Sequence, residues 1–424
     1  MTSVSEVDCD VLIVGGGLAG LSLARQLLLQ TGERVLLIDR KELPPRRQKV
    51  GEATVQMSGY YYSKVLEMEE YLLRHHFMKY NLRFYWPTGG GGAFEDFSQS
   101  YIRGLSNIPT YQLDRNTFEA ELLRVCSADA RFQVAAPVEG LEIDLGTGGA
   151  HHAFRYRTAQ GEVRGQARWV VDAAGRGRVL ARQLQLQRPS PIQHGSTFCW
   201  VEGLVDIERL TGRSAAEVRL KRERSALGHV PHFLATNHFC GEGFWFWVIP
   251  LHGKTSLGLV YDRARIPYSE VCTAEGMIDW VCRRFPLFAR DLPQRRIVDR
   301  GGLANFAHDC AQNFSADRWA LVGEAGRFSD PLYSPGGDLI SLYNTLTVDA
   351  IRSDRSERLA ERLRLYDTMA RALYESYVPS YAVSYDTLGD QEAFSLRYTW
   401  ELAVYFAYFV FPFINDLFLS LIHI

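Results

Sequence analysis

The sequence predicts an α/β protein: a doubly wound nucleotide-binding domain with an inserted antiparallel sheet and a helical C-terminal region. Three observations predict it. Residues 10–40 read as strand, glycine-rich turn, helix and second strand, the entry unit of a dinucleotide-binding fold. Two later segments, ARWVVDAAGRGRVLAR and DRWALVGEAGRFSDPLYSPGGDLISLYNTL, return to a strand followed by a small-residue turn. Between these returns the pattern changes to strands, and from Val348 onward it is helical.

In the first unit, DVLIVG is a buried parallel strand and LAGLSLARQLLLQ a helix with apolar spacing of three and four. The turn between them, Gly15-Gly16-Gly17-Leu18-Ala19-Gly20, is a G-x-G-x-x-G in its required context. Gly15 makes the tight turn, Gly17 lets a pyrophosphate approach the backbone, and Gly20 lets the helix pack on the sheet. The helix start at Leu18 and Ala19 then faces the phosphates. Asp39, followed by Arg40, closes the second strand where an acid binds a ribose hydroxyl. Three separated turns of this kind predict one discontinuous domain wrapped around a long adenine dinucleotide. The expected organisation is 8–185 for its first part, 186–300 for the inserted sheet, 301–347 for the return segment and 348–424 for the helices.

The inserted region contains STFCWVEGLVDI, KTSLGLVYD and GFWFWVIPL, Gly243 to Leu251. The last of these raises a question. Trp245, Trp247 and Ile249 point one way and Phe246 and Val248 the other, so both faces are apolar. A core strand covered on both sides is the plain explanation. Two indoles on one face also suit a dry wall beside a reactive site.

Composition narrows the function classes. The 424 residues are 46% hydrophobic and 23% charged with a formal net charge of -2, so nothing points to nucleic acid. Seven scattered cysteines without a C-x-x-C pair argue against a disulfide scaffold or zinc site and fit a reducing cytoplasm; no metal site is expected. The start has no basic region before its apolar run and is not a signal peptide. Near the end, Leu402 to Ile414 is too short for the ~20 residues of a spanning helix. Its interruption by Pro412, Asn415 and Asp416 favours a buried helix or lid without membrane contact. The apolar ending SLIHI suggests a chain cut short.

Together these pieces resemble the FAD-dependent monooxygenase superfamily and, within it, the tryptophan-halogenase-like flavin-dependent halogenases. The glycine turn, LDR around Arg115, the turn from Asp172 to Gly175, and Gly323-Glu324 carry the broad flavoprotein pattern, with glutamate where aspartate is usual. KVGEATV, with Glu52, Ala53 and Thr54, is similar to the family's G-E-[ST]-T-V segment. HHFMKYNLRFYW matches the segment bearing the family's catalytic lysine, which falls on Lys79. GFWFWVIPL contains the W-x-W-x-I-P signature as Trp245, Trp247, Ile249 and Pro250.

The resemblance implies non-covalent FAD, reduced by a separate flavin reductase, and formation of hypohalous acid from oxygen and halide. Lys79 would deliver the halogen to an aromatic substrate. In DPLYSPGG, Tyr333 stands where the tryptophan halogenases carry a glutamate, and Pro335 removes an N–H from the halide turn. Gly336 and Gly337 remain as halide and cofactor contacts. These departures direct the expectation to a phenolic or pyrrolic substrate, free or carrier-bound. The alternatives are a monooxygenase that hydroxylates or epoxidises, and a catalytically silent flavin-binding protein in a biosynthetic complex. Other groups read as structural: His75-His76 and His151-His152 as surface pairs, KRERSALGH as a solvated helix face, and RYTWELAVYFAYFVF as a core helix before a substrate contact.

Overall fold

The computed structural model describes residues 4–102, 104, 106–214, 216, 217 and 231–420; the charge run Lys221–His229 lies outside them. The glycine-rich entry folds as its pattern dictates. Cys9–Val14 is a buried strand, Leu18–Gln30 a helix with Gly17 as N-cap, and Val35–Ile38 the next strand. Gly15 has φ +114°, and a Cβ on Gly20 would stand 1.9 Å from the Gly15 carbonyl oxygen. The helix therefore packs on the sheet as closely as its backbone allows, which only glycine permits at both positions.

The main sheet runs in the order Phe314–Ser315, Trp319–Leu321, Gly161–Asp172, Cys9–Val14, Val35–Ile38, Phe132–Ala135. Its centre is parallel, with Val170 beside Leu12 and Leu12 beside Leu36. The chain reverses its winding at Cys9–Val14, the switch point where doubly wound sheets bind ligands. Gly15, Asp39, Asp172 and Gly323 all follow the carboxyl ends of these strands, so the sequence-predicted turns meet at one edge.

A seven-stranded sheet forms the second layer: Ile297–Leu303, His194–Glu202, Lys254–Asp262, Phe244–Leu251, Thr236–Gly241, Leu82–Pro87 and Phe97–Ser100. It is antiparallel except where Thr236–Gly241 lies parallel to Leu82–Pro87. Its membership does not follow the expected sequence boundaries. Leu82–Ser100, within the stretch assigned to the cofactor domain, supplies two strands of this sheet and carries the chain away from the first layer.

Phe244–Leu251 lies in the middle and is buried at every position. Phe244, Phe246 and Val248 join a core with Trp280, Phe285 and Phe288. Trp245, Trp247, Ile249 and Leu251 join another with Phe84, Trp86, Tyr381, Tyr385 and Phe394, supplied partly by the C-terminal helices. Both indole N–H groups are satisfied there: Trp245 Nε1 donates to the Tyr385 hydroxyl at 2.8 Å and Trp247 Nε1 to Ser256 Oγ at 3.0 Å. Gly258 on the neighbouring strand makes room for the Trp247 ring.

The C-terminal region is helical, with helices Gly336–Arg352, Leu359–Thr387 and Gln391–Tyr405. No helix among the described residues is long and apolar enough to cross a membrane. Two structural readings need correction. His76 and His152 are buried, the first accepting the Asp114 N–H at 3.2 Å and the second the Gly146 N–H at 3.1 Å, so only His75 and His151 are surface residues. Adjacent side chains diverge, and here one of each pair turns inward to serve a backbone donor. The Gln391–Tyr405 helix buries Phe394 and Tyr398 but leaves Leu396 and Trp400 exposed, so it is a wall and not a core helix.

A Cβ on Gly258 would stand 2.1 Å from Cζ2 of Trp247, whereas one on Gly32 meets nothing within 4 Å. Gly258→Ala is expected to lower stability by about 1–3 kcal/mol by overpacking. Gly32→Ala is the control for surface change. Thermal unfolding of both variants checks the difference, which should vanish if the Trp247 face is loosely packed.

Candidate functional site

Two adjoining regions carry the site residues. The first is the groove at the carboxyl edge of the main sheet. Gly16 N–H donates to Asp39 Oδ2 at 2.7 Å, and Lys41 N–H to Oδ1 at 2.8 Å, fixing the acid beside the glycine turn. A Cβ on Gly17 would meet only Lys49 Nζ, at 3.9 Å, so the helix N-terminus opens onto free space with a cation beside it. Lys49 escaped the sequence reading; a lysine beside a glycine pattern gives no signal until folding brings it to the turn. Buried Glu119 holds Lys49 at 2.5 Å and Arg115 at 2.5 Å. Arg115 also donates to the Val50 carbonyl at 2.9 Å.

Asp172 shapes this edge from within. Its carboxylate accepts the N–H groups of Ala174 at 2.9 Å and Leu180 at 2.8 Å, while Gly175 adopts φ +55°. Burial pushes its carboxyl up to about 6. Gly323, at φ +55°, lies so close to the start of the first helix that a Cβ would come within 2.9 Å of Ala19 Cβ. That brings partly buried Glu324 to the groove. Burial raises its pKa, opposed by the charges of Arg176 and Arg115, and its carboxylate accepts no hydrogen bond among the described residues. An open glycine cradle, a helix N-terminus, cations and an unengaged carboxylate fit an adenine dinucleotide with a polyol linker.

The second region is a cavity of ≈ 850 Å³ between the segment Val55–Gln56, the stretch Met78–Leu82, Tyr333–Asp338 and the two long C-terminal helices. Lys79 lies in it, only 6% exposed. Its backbone is pinned by Lys79 N–H to the Thr110 carbonyl at 2.8 Å and Thr110 Oγ1 to the Lys79 carbonyl at 3.0 Å. Its Nζ donates to the Thr54 carbonyl at 2.5 Å. Burial holds the ammonium down at about 7, with Asp338 opposing the shift.

Asp338 is the residue the sequence reading missed. Tyr333 stands in the expected glutamate position and offers no carboxylate; Asp338, 3% exposed, brings one to the cavity. It sits in the first turn of Gly336–Arg352, where an acid ordinarily signifies only helix stabilisation. Oδ1 accepts Ser58 N–H at 2.8 Å and Oδ2 the Tyr405 hydroxyl at 2.8 Å. Burial pushes its carboxyl up to about 6, opposed by these hydrogen bonds and by Lys79.

The other predicted residues fall around this pair. Glu52 is buried, its Oε1 accepting Trp200 Nε1 at 2.7 Å and its Oε2 Gly51 N–H at 2.8 Å, so it anchors the Glu52-Ala53-Thr54 segment internally. Gly336 and Gly337 open a helix, where N–H groups have no intrahelical partner. Tyr333 and Ser334 just before them both have positive φ, +66° and +62°, a strained pair that sets the turn. Trp245 and Trp247 do not line the cavity; they share an apolar cluster with Val50, Ala53, Phe328 and Tyr333. Thr54–Ser58 and Pro335–Asp338 meet at the cavity wall, where Ser58 N–H reaches Asp338 and a Cβ on Gly337 would stand 2.8 Å from Ser58 Cβ. Arg40 is exposed, beyond the acid it follows.

Known proteins resemble this chain in sequence and fold. The family model for FAD dependent oxidoreductases matches residues 10–91. The chain is 25% identical over 430 residues to the flavin-dependent halogenase chlA of Dictyostelium discoideum, covering 94% of this chain and 69% of that one. It is 24% identical over 410 residues to a 1H-pyrrole-2-carbonyl peptidyl-carrier-protein brominase of Pseudoalteromonas luteoviolacea, covering 94% and 87%. In fold it matches the crystal structure of halogenase PltM in complex with phloroglucinol and FAD, with TM-score 0.73, 22% identity and coverage of 90% and 77%.

Two predictions separate groove from cavity. Gly17→Val adds bulk where the protein itself leaves room, so the flavin-free protein should keep its melting temperature while FAD occupancy falls at least tenfold; retained yellow flavin at full occupancy would contradict the cradle. For Lys79, the folded pKa of about 7 lies below the ordinary 10.5, so between those values the unfolded chain binds more protons. Stability then rises with pH across this window. Lys79→Met should stabilise the flavin-free protein by about 2 kcal/mol at pH 7, after loss of the Thr54 hydrogen bond. That gain should shrink towards pH 10.5, and a gain that grows with pH would contradict the burial of an ammonium.

The chain is an FAD-dependent oxidoreductase with the fold and sequence likeness of the flavin-dependent halogenases.

Proposed function

We propose that this enzyme halogenates an electron-rich aromatic ring, phenolic or pyrrolic, free or carrier-bound, with reduced FAD, oxygen and halide. The observation that carries the reading is Lys79: a buried amine with a pKa near neutrality, in a cavity of substrate size, aimed at the segment that borders the flavin groove. FAD, reduced by a separate flavin reductase, supplies with oxygen the two-electron oxidation of halide to hypohalous acid. The N–H groups of Gly336 and Gly337 hold the halide at the dividing wall, with Pro335 contributing none.

On the cavity side Lys79 orients the hypohalous acid towards the ring. The ring forms the carbon–halogen bond as the oxygen–halogen bond breaks, and the departing hydroxide takes a proton from the Lys79 ammonium. Asp338, buried with a raised pKa and sensing Lys79, accepts the proton lost by the ring. The Trp245 and Trp247 cluster keeps the wall rigid and dry. Support for the substrate class comes from the relatives: carrier-bound pyrroles for the brominase and phloroglucinol in the PltM complex. An intact buried lysine speaks against a silent flavin-binding protein. The monooxygenase reading is favoured by one observation, the proline in the halide turn.

Mass spectrometry of products from reduced FAD, oxygen, bromide and a panel of phenols and pyrroles separates these readings by a gain of bromine, of oxygen or of neither. Lys79→Ala should lower brominated product at least a hundredfold while oxygen consumption and flavin reoxidation persist. Lys79→Arg should also be impaired, because a planar guanidinium cannot replace a compact amine. Bromination at the native rate by Lys79→Ala, with FAD content unchanged, would remove the lysine from the mechanism.

A further inference from the structure

The cavity holds a second polar cluster that halogen delivery does not use. Arg397 and Glu401 project from the Gln391–Tyr405 helix one turn apart, and Tyr333 and Ser380 face the same space. Arg397 Nη1 donates to Thr387 Oγ1 at 2.7 Å. Ser380 Oγ donates to Glu401 Oε1, and Arg397 Nε stands 3.6 Å from that same oxygen, beyond hydrogen-bond range. Among the described residues, Arg397 Nε and Nη2, Glu401 Oε2 and the Tyr333 hydroxyl are left buried without a hydrogen-bond partner. Tyr333 feels both charges, and its hydroxyl makes a well-formed bond to neither.

Buried polar atoms in folded proteins are almost all hydrogen-bonded, and unmet charged ones are the costliest exceptions. Here donors and an acceptor stand unmet together on a stretch of cavity wall that Tyr377, Tyr381 and Tyr398 also line. Tyr398 stacks on Tyr333 with ring centres 5.4 Å apart, and Tyr377 feels both Asp338 and Glu401, joining the two polar regions.

We infer that Arg397, Glu401 and Tyr333 form the anchoring subsite for the substrate, and that the group they take is neutral and both donor and acceptor. A phenolic hydroxyl or a carboxamide meets this description. It accepts from Arg397 and donates to Glu401 while its ring packs on the tyrosines. A carboxylate gains at Arg397 but meets the Glu401 charge, and an ammonium suffers the reverse, so both are rejected by the unlike half of the pair. The inference rests on the cavity being the substrate site; it does not depend on halogen transfer.

Calorimetric binding to the oxidised FAD-loaded protein, without reductant or halide, tests it with four probes that each carry one polar group: phenol, benzamide, benzoate and benzylamine. The first two should bind at least about tenfold more tightly than the charged pair, the scale of one charged hydrogen bond lost. Glu401→Gln should selectively improve benzoate, and Arg397→Gln should selectively improve benzylamine, each by about tenfold. Equal affinity for all four probes in the native protein overturns the subsite, as does a uniform shift for every probe in both variants. If a variant loses FAD or melts early, the native ranking alone decides. Correct ranking without brominated product would leave the anchor standing and refute the halogenase reading instead.

Discussion

A lysine ammonium with a single hydrogen-bond acceptor and almost no water is unfavourable, and the cavity is organised around that constraint. Among the described residues Lys79 Nζ donates to the Thr54 carbonyl alone, and its charge is opposed by burial and supported by Asp338. The surroundings hold it there from several sides: Thr110 clamps its backbone, and Asp338 is itself fixed by Ser58 and Tyr405. The result is a buried amine and a buried carboxyl, at about 7 and about 6, both poised near neutrality. A pair tuned this way belongs to acid–base or electrophile-handling chemistry more readily than to packing.

The segments Thr54–Ser58 and Pro335–Asp338, which we propose separate the cofactor groove from the cavity, hold this pair in place. Thr54–Ser58 presents its Thr54 carbonyl to Lys79 and its Ser58 N–H to Asp338, so one short segment fixes both groups. Glu52, held by Trp200 and Gly51, anchors its start. The strand Phe244–Leu251 acts one layer further back. Its tryptophans are tied through their N–H groups to Tyr385 and Ser256, and their rings fill the space under Ala53 and Tyr333. The doubly apolar pattern follows from burial between two cores.

Much of this was legible in the residues because local rules dictate it. The glycine turn, its helix and Asp39 follow from spacing alone, and the apolar strand announced its two buried faces. Asp338 was not legible, since an acid three residues into a helix is the commonest acid there is. Glu401 and Arg397 were hidden in an apolar run that reads as core, because helix periodicity cannot say what a face will meet. The expected sheet boundaries failed at Leu82–Ser100 for a similar reason: pairing partners 150 residues away decide which sheet a strand joins. Residues that matter through long-range proximity left no pattern in the sequence.

The central claim is that oxidation of halide and its transfer to the ring occur on opposite sides of the Thr54–Ser58 and Pro335–Asp338 wall. Diffraction from crystals of the FAD-loaded protein soaked with bromide and resorcinol tests this most directly, because bromide can be located by its anomalous scattering. A bromide peak is expected at the N–H groups of Gly336 and Gly337, and a ring in the cavity within hydrogen-bonding reach of Lys79. Bromide absent from that turn, together with resorcinol bound outside the cavity or on the flavin side of the wall, would contradict it.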